Sequence, residues 1–271
     1  MKKVFGVAGF LVLASQVTLW GYDTDPHFLK MVPEAIWAAA AGGGTWVTEL
    51  QITNYGSTTA GILVAFDYGG GTTGAWRVHP GLAQYRSVRF PNILATLDGL
   101  DPNAFVYYGR VGALYISAEN IGCTIQVQAK IVNGNFGKTL PGMSPVAGTT
   151  AAQGRPMVIQ DLVKNSMYRT SVGIYNTSSY YTYVVQMTIF DANHVQVGAS
   201  FTKTLDPIGF MSFNPFTQAG ATAGNYENCW LHIEVTSGGS DPRGVMCYGS
   251  IANNYTNDTF ALLAMQRGGA D

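Results

Sequence analysis

Trp46-Val47-Thr48-Glu49-Leu50-Gln51-Ile52-Thr53-Asn54 alternates its side chains with a period of two, and Tyr168-Arg169-Thr170-Ser171-Val172-Gly173-Ile174-Tyr175-Asn176 repeats the pattern 176 − 54 = 122 residues later. Successive side chains of an extended chain point to opposite faces, so a period of two marks a strand with one buried side. Trp46, Thr48, Leu50 and Ile52 share one face, and Val47, Glu49 and Gln51 share the other. Towards the end of each half, Ala129-Lys130-Ile131-Val132-Asn133 answers Gly249-Ser250-Ile251-Ala252-Asn253 at a spacing of 253 − 133 = 120. Between these anchors Ala65-Phe66-Asp67 answers Ile189-Phe190-Asp191, His79-Pro80-Gly81 answers Asp206-Pro207-Ile208, and Leu114-Tyr115-Ile116 answers Leu231-His232-Ile233. A period this long has the size of a domain, not of a solenoid unit. The expected fold is all-β: two tandem homologous antiparallel β-sandwich domains, Ig-like or jelly-roll-like, after an N-terminal signal peptide.

The same alternation runs through Cys123 to Ile131, Tyr183 to Phe190 and Cys229 to Val235, with Gly-, Asn- and Asp-rich turns between the runs. Helical periodicity is confined to the leader and a short turn around Pro91 to Leu97. These signals divide the chain into a signal peptide (1–21), a first β-sandwich repeat (26–145), a linker (146–154), a second repeat (155–266) and a tail (267–271). The opening strand Trp46 to Asn54, the Pro80-Gly81 turn, and the strand Val127 to Asn133 followed by Phe136-Gly137, with their second-half partners, resemble uncharacterised bacterial exported proteins with tandem β-sandwich repeats. The resemblance implies a secreted or cell-surface location and transfers no catalytic residue.

Lys2 and Lys3 precede the apolar run Val4 to Ala14, the pattern of a Sec-type leader, and that run is too short to cross a bilayer as a helix. No later segment approaches the ~20 apolar residues of a membrane helix, so no transmembrane span is expected after cleavage. The expected location is exported: cell surface, extracellular or periplasmic. With 15 basic and 16 acidic residues, and charged residues at 11%, the chain lacks the clustered cations that phosphate binding needs. Nucleic acid is therefore not an expected partner.

Catalytic signatures are missing from the sequence. Gly142-Met143-Ser144-Pro145-Val146 breaks the nucleophile-elbow pattern at its last position, and His27, His79, His194 and His232 have no metal-site spacing. The chain is expected not to be an enzyme and to carry no cofactor. Ca2+ is the one metal given a candidate site, through the oxygens of Asp98, Asp101 and Asn103. Cys229 and Cys247 flank a hairpin from Trp230 to Met246, which predicts a disulfide across adjacent strands, with two buried thiols as the other reading. Cys123 is left as a small buried residue or a handle for pairing between chains. Tyr175, Tyr180, Tyr181 and Tyr183 crowd one hairpin and form the candidate ligand-binding set, because tyrosine joins an apolar ring to a polar tip. The expected function is a non-enzymatic exported structural or adhesive protein of the cell surface or matrix, partnered by itself as a homo-oligomer or filament or by surface glycans and proteins. The alternative is a carbohydrate-binding module pair that uses the tyrosines.

Overall fold

The structure, a computed structural model, describes residues 29–40, 43–68, 75–101, 107–119, 123–143, 155–178, 180–239, 244–256 and 258–266. The expected signal peptide, linker and tail, and Asn103, lie outside the described residues. In the N-terminal half the order is β1 (Leu29–Ala39), β2 (Thr45–Asn54), β3 (Ala60–Asp67), β4 (Trp76–Leu82), β5 (Ser87–Phe90), α1 (Ile93–Leu100), β6 (Arg110–Ala118), β7 (Ile125–Asn133) and β8 (Phe136–Pro141). The C-terminal half follows with β9 (Met157–Lys164), β10 (Tyr168–Asn176), β11 (Tyr183–Phe190), β12 (Phe201–Leu205), β13 (Phe210–Phe213), α2 (Pro215–Gln218), β14 (Tyr226–Ser237), β15 (Val245–Asn253), β16 (Thr259–Leu263) and β17 (Met265–Gln266).

The named strands pair antiparallel, as short alternating runs joined by turns should. The N-terminal strands lie in the order β4-β3-β6-β1-β2-β7-β8, with β5 on the far side of β2. Only Ala38↔Trp46 and Ala39↔Thr45 join β1 to β2. The sheet turns over there into two layers, β4-β3-β6-β1 and β5-β2-β7-β8, around a shared apolar core. The C-terminal sheets run β12-β11-β14-β9-β17 and β13-β10-β15-β16. Apart from β17, which pairs with β9, that is the N-terminal order again, in a β-sandwich-like arrangement.

Small polar devices recur with the strand order. Thr48 is buried in β2 and its Oγ1 accepts from the Ile36 N–H at 2.8 Å; Thr170 in β10 does the same for Val163 at 2.9 Å. Asn54 and Asn176, both fully buried, donate their amides to the carbonyls of Leu82 and Leu205. Asn92 caps α1 by accepting from the Ala95 N–H, and Asn214 caps α2 by accepting from Thr217. The turn after β4 puts Tyr85 at φ 56°, and the turn after β12 puts Ile208 at φ 59°.

These anchors correct two sequence alignments. Leu82 matches Leu205, so the counterpart of Asp206-Pro207-Ile208 is Ala83-Gln84-Tyr85, while Pro80-Gly81 lies inside β4. Phe66 pairs with Leu114 and Ile189 pairs with Leu231, which makes Phe190, not Asp191, the counterpart of Asp67. A slip of one residue reverses the face of a strand side chain. Accordingly Asp67 is buried, whereas Asp191 accepts from the Asn193 and Val195 N–H groups of its own turn. The Ca2+ candidate Asp98 lies with Gly99 in the last turn of helix α1: Asn92 starts the helix, and Ile93, Leu94 and Leu97 close one end of the core.

Two apolar clusters form, and the N-terminal one reaches into the other half. Tyr175, Ile208, Met246 and Tyr248 of the C-terminal half belong to the N-terminal apolar cluster. Tyr175 packs edge-on to Tyr115 at 5.9 Å and donates its hydroxyl to Asp67 at 3.2 Å. Tyr248 lies under Lys138, whose ammonium is 5.3 Å from the ring centre and pairs with Glu34. Gly173 leaves the room for this ring, since a Cβ there would stand 2.1 Å from it. Counterparts of these side chains on β2 and β7 are polar: Thr53 for Tyr175, Gln51 for Gly173, Gln126 for Met246 and Gln128 for Tyr248. The face that is buried in one half meets solvent in the other.

Burial first, then Tyr115 and Asp67, hold the Tyr175 hydroxyl well above its ordinary range; burial first, then Glu34, does so for Tyr248. A group whose folded pKa exceeds its unfolded value stabilises fully below the unfolded pKa and less as pH rises above it. Stability should therefore fall above about pH 10, by about 2.7 kcal/mol per pH unit for the two protons together. Absorbance titration at 295 nm checks this: the two tyrosines should ionise only with the loss of near-ultraviolet circular dichroism, and smooth ionisation of every tyrosine in folded protein would contradict it.

Candidate functional site

The sequence-derived candidates are not brought together. Tyr175 and Tyr183 are fully buried, Tyr175 between the halves and Tyr183 in the C-terminal core. Tyr180 and Tyr181 alone face solvent, at 66% and 42% exposure. The strand alternation begins at Tyr183, so Tyr181 sits before it in a turn held by Ser178, whose Oγ accepts from the Tyr180 and Tyr181 N–H groups. The four rings are therefore split between core, interface and surface.

Cys229 and Cys247 are free thiols, as is Cys123. The expected disulfide fails for a topological reason: β14 belongs to the sheet with β11 and β9, and β15 to the sheet with β10 and β16. The connection from Trp230 to Met246 crosses between layers, so its two strands are not neighbours. Burial raises the pKa of both thiols, with Asp191 adding to the effect at Cys229.

For the Ca2+ candidates, Asp98 accepts from the Tyr107 N–H at 3.4 Å and Asp101 accepts from the Tyr107 hydroxyl at 3.0 Å. Both carboxylates are thus engaged in tying the end of α1 to Tyr107. Among the described residues no three His, Cys, Asp or Glu side chains group as a metal site would require.

A recess among the described residues lies elsewhere, at an open end of the C-terminal sheets, and has a volume of about 360 Å³. Val163, Tyr168, Ile251 and Phe260 form its apolar walls, and Asp161, Asn165, Glu227 and Asn228 form its polar rim. Two register shifts between β14 and β9 open it, one between Tyr226 and Cys229 and the other between Cys229 and Leu231. At these bulges Asp161 and Asn228 take the left-handed conformation, at φ 62° and 54°. Non-glycine residues there cost of order 1 kcal/mol or more and cluster at functional sites. The Asn165 amide donates to Glu227 at 2.8 Å, which fixes that carboxylate. Phe260 is 60% exposed, and Met167 and Tyr255 are also exposed on the adjoining turns. Among the described residues neither Asp161 nor Glu227 is in a salt bridge. A recess with carboxylates at its rim and apolar walls can take up a molecule that joins a cationic or hydroxylated head to an apolar body.

No protein-family model matches the chain, and no curated protein matches it.

A second feature lies on the outer face of β11 and β14. The rings of His194, Phe190 and Trp230 are nearly parallel, with centres 4.7 Å (His194 to Phe190), 4.6 Å (Phe190 to Trp230) and 5.3 Å (His194 to Trp230) apart. His232 meets Trp230 edge-on. Phe190 and Trp230 are cross-strand partners, and His194, at φ 64°, is carried over them by the turn that Asp191 holds.

Sequence reading missed Asp161, Glu227 and Phe260. The signal was a comparison of the halves, but Glu34 precedes its anchor Thr48 by 48 − 34 = 14 residues, and Asp161 precedes Thr170 by 170 − 161 = 9. A longer β1–β2 connection hides the correspondence.

Proposed function

We propose that this chain is an exported, non-enzymatic adhesive protein of the cell surface or extracellular matrix, made of two duplicated β-sandwich domains of which the second meets the partner. The observation that carries the reading is the mouth of the C-terminal sandwich: it is open, whereas the same place in the N-terminal sandwich is filled by the chain's own Lys138. Duplication is supported by the repeated strand order and by the recurring threonine and asparagine devices. Export is supported by Lys2-Lys3 and the short apolar run behind them. Self-association by repeating the internal face-to-face contact is not favoured, because Gln51, Thr53, Gln126 and Gln128 stand where Gly173, Tyr175, Met246 and Tyr248 make it. One domain is the support and the other is the contact.

The test is binding of the fluorescently labelled mature protein to intact producing cells and to their extracellular fraction, beside F260K. Saturable binding that F260K lowers at least tenfold is the expected result; indifference of binding to F260K would remove the cleft from the reading. N-terminal sequencing of protein recovered outside the cell should begin near residue 22, and recovery only from inside would remove export.

A glycan-binding reading has its own observation in the half-buried Trp230 stack, since sugars pack their apolar faces on aromatic rings. Sugar-induced change in tryptophan fluorescence, lost in Trp230→Ala, would favour it.

A further inference from the structure

The open cleft has a filled counterpart within the same molecule, and the filling identifies its ligand. In the N-terminal half Thr48 holds Ile36 by two hydrogen bonds, at 2.8 and 3.1 Å, and in the C-terminal half Thr170 holds Val163 in the same way, at 2.9 and 2.7 Å. Ile36 and Val163 therefore match. Two residues earlier stand Glu34 and Asp161, an acid in each half, both at irregularities of strand pairing. Across the mouth, Ile131 of β7 pairs with Lys138 of β8, and Ile251 of β15 pairs with Phe260 of β16. Lys138 and Phe260 match in turn. The first mouth thus contains an acid and a lysine in contact, with the ring of Tyr248 beneath the ammonium. The second keeps the acid, adds Glu227, and replaces the lysine by a solvent-exposed ring.

We infer that the cleft of the C-terminal sandwich binds a lysine side chain of a protein partner, held as Lys138 is held in the first sandwich; this rests on the adhesive reading and specifies its chemistry. The ammonium meets Asp161 and Glu227, and the alkyl stem lies along Ile251 and Phe260. Two carboxylates with no cation among the lining residues leave a formal charge of −2 for the ligand to balance. An aromatic face beside the carboxylates strengthens the choice, since a ring attracts an ammonium within about 6 Å. Lys164, the nearest cation in the chain sequence, does not fill the place: its ammonium donates to the Thr222 and Gly224 carbonyls at 2.7 and 3.1 Å.

The experiment titrates the full mature chain with Nα-acetyl-lysine methylamide and with its norleucine analogue, which has the stem without the ammonium, followed by two-dimensional NMR. Saturable shifts centred on Asp161, Glu227, Ile251 and Phe260 are expected from the lysine compound, with binding at least fivefold weaker for the norleucine analogue. Asp161→Asn and, separately, Glu227→Gln should each weaken the lysine compound at least fivefold. F260K should abolish its binding while raising the melting temperature, because it rebuilds the internal pair. Equal shifts from both compounds, no shifts at all, or lysine binding unchanged in D161N and E227Q would overturn the inference. Adhesion that survives F260K with no lysine binding would sink this inference and leave the adhesive role standing, whereas lysine binding without adhesion would do the reverse.

Discussion

Replacing Lys138 by Met should cost about 3–5 kcal/mol of stability. Lys138 and Glu34 are only 9% and 14% exposed, so removal of the cation leaves a largely buried carboxylate without its counter-charge. The Tyr248 ring, which the ammonium faces at 5.3 Å, loses that contact as well. The charge and not the shape dominates, because Met retains most of the alkyl stem. Urea denaturation checks the figure, and the double variant Glu34→Gln with Lys138→Met should recover most of the loss. A K138M protein within about 1 kcal/mol of the parent would show that water reaches Glu34 and that the pair is a surface one.

Asn176→Ala should cost about 3–4 kcal/mol, since it leaves two buried and two part-buried backbone groups without this partner at once. The Asn176 amide donates to the carbonyls of Tyr181, Leu205 and Asp206 at 2.7, 3.2 and 2.8 Å, and its Oδ1 accepts from the Ser178 N–H at 2.9 Å. These bonds join the ends of β10, β11 and β12, which belong to different layers. Loss of them should show in the denaturation midpoint and in faster amide exchange at Ser178. Gln51→Ala, on the solvent face of β2, is the control and should stay within about 0.5 kcal/mol. If the two variants were equally stable, the buried amide would have to be satisfied by water instead.

Much of the fold was legible because strand alternation and turn residues are local properties. The pairing of Trp46–Asn54 with Tyr168–Asn176 reappears as β2 and β10, and the pairing at a spacing of 120 reappears as β7 and β15. Asn54 and Asn176 stand in the sequence as the matching ends of the repeated runs; their role as buried ties across the layers depends on carbonyls about thirty positions away, which no local pattern reports. The Cys229 and Cys247 pairing failed for the same reason, since a connection between two strands looks alike in sequence whether it stays in one sheet or crosses to the other.

What the sequence determined alone is the period of its strands, the turns between them and the recurrence of both, because side-chain alternation and backbone preference act over a few residues. Tertiary structure alone decided which face of each strand met solvent and which met the other half. Tyr175 and Thr53 occupy the same place on matching strands, yet one is buried against Asp67 and the other lies on the outer face. Likewise Glu34 and Asp161 are both acids at a strand bulge, and only the position of Lys138 across one mouth and Phe260 across the other makes the first a closed ion pair and the second an open cleft. Burial and charge pairing are set by chain segments far apart in sequence, and they exist only once the sheets have packed.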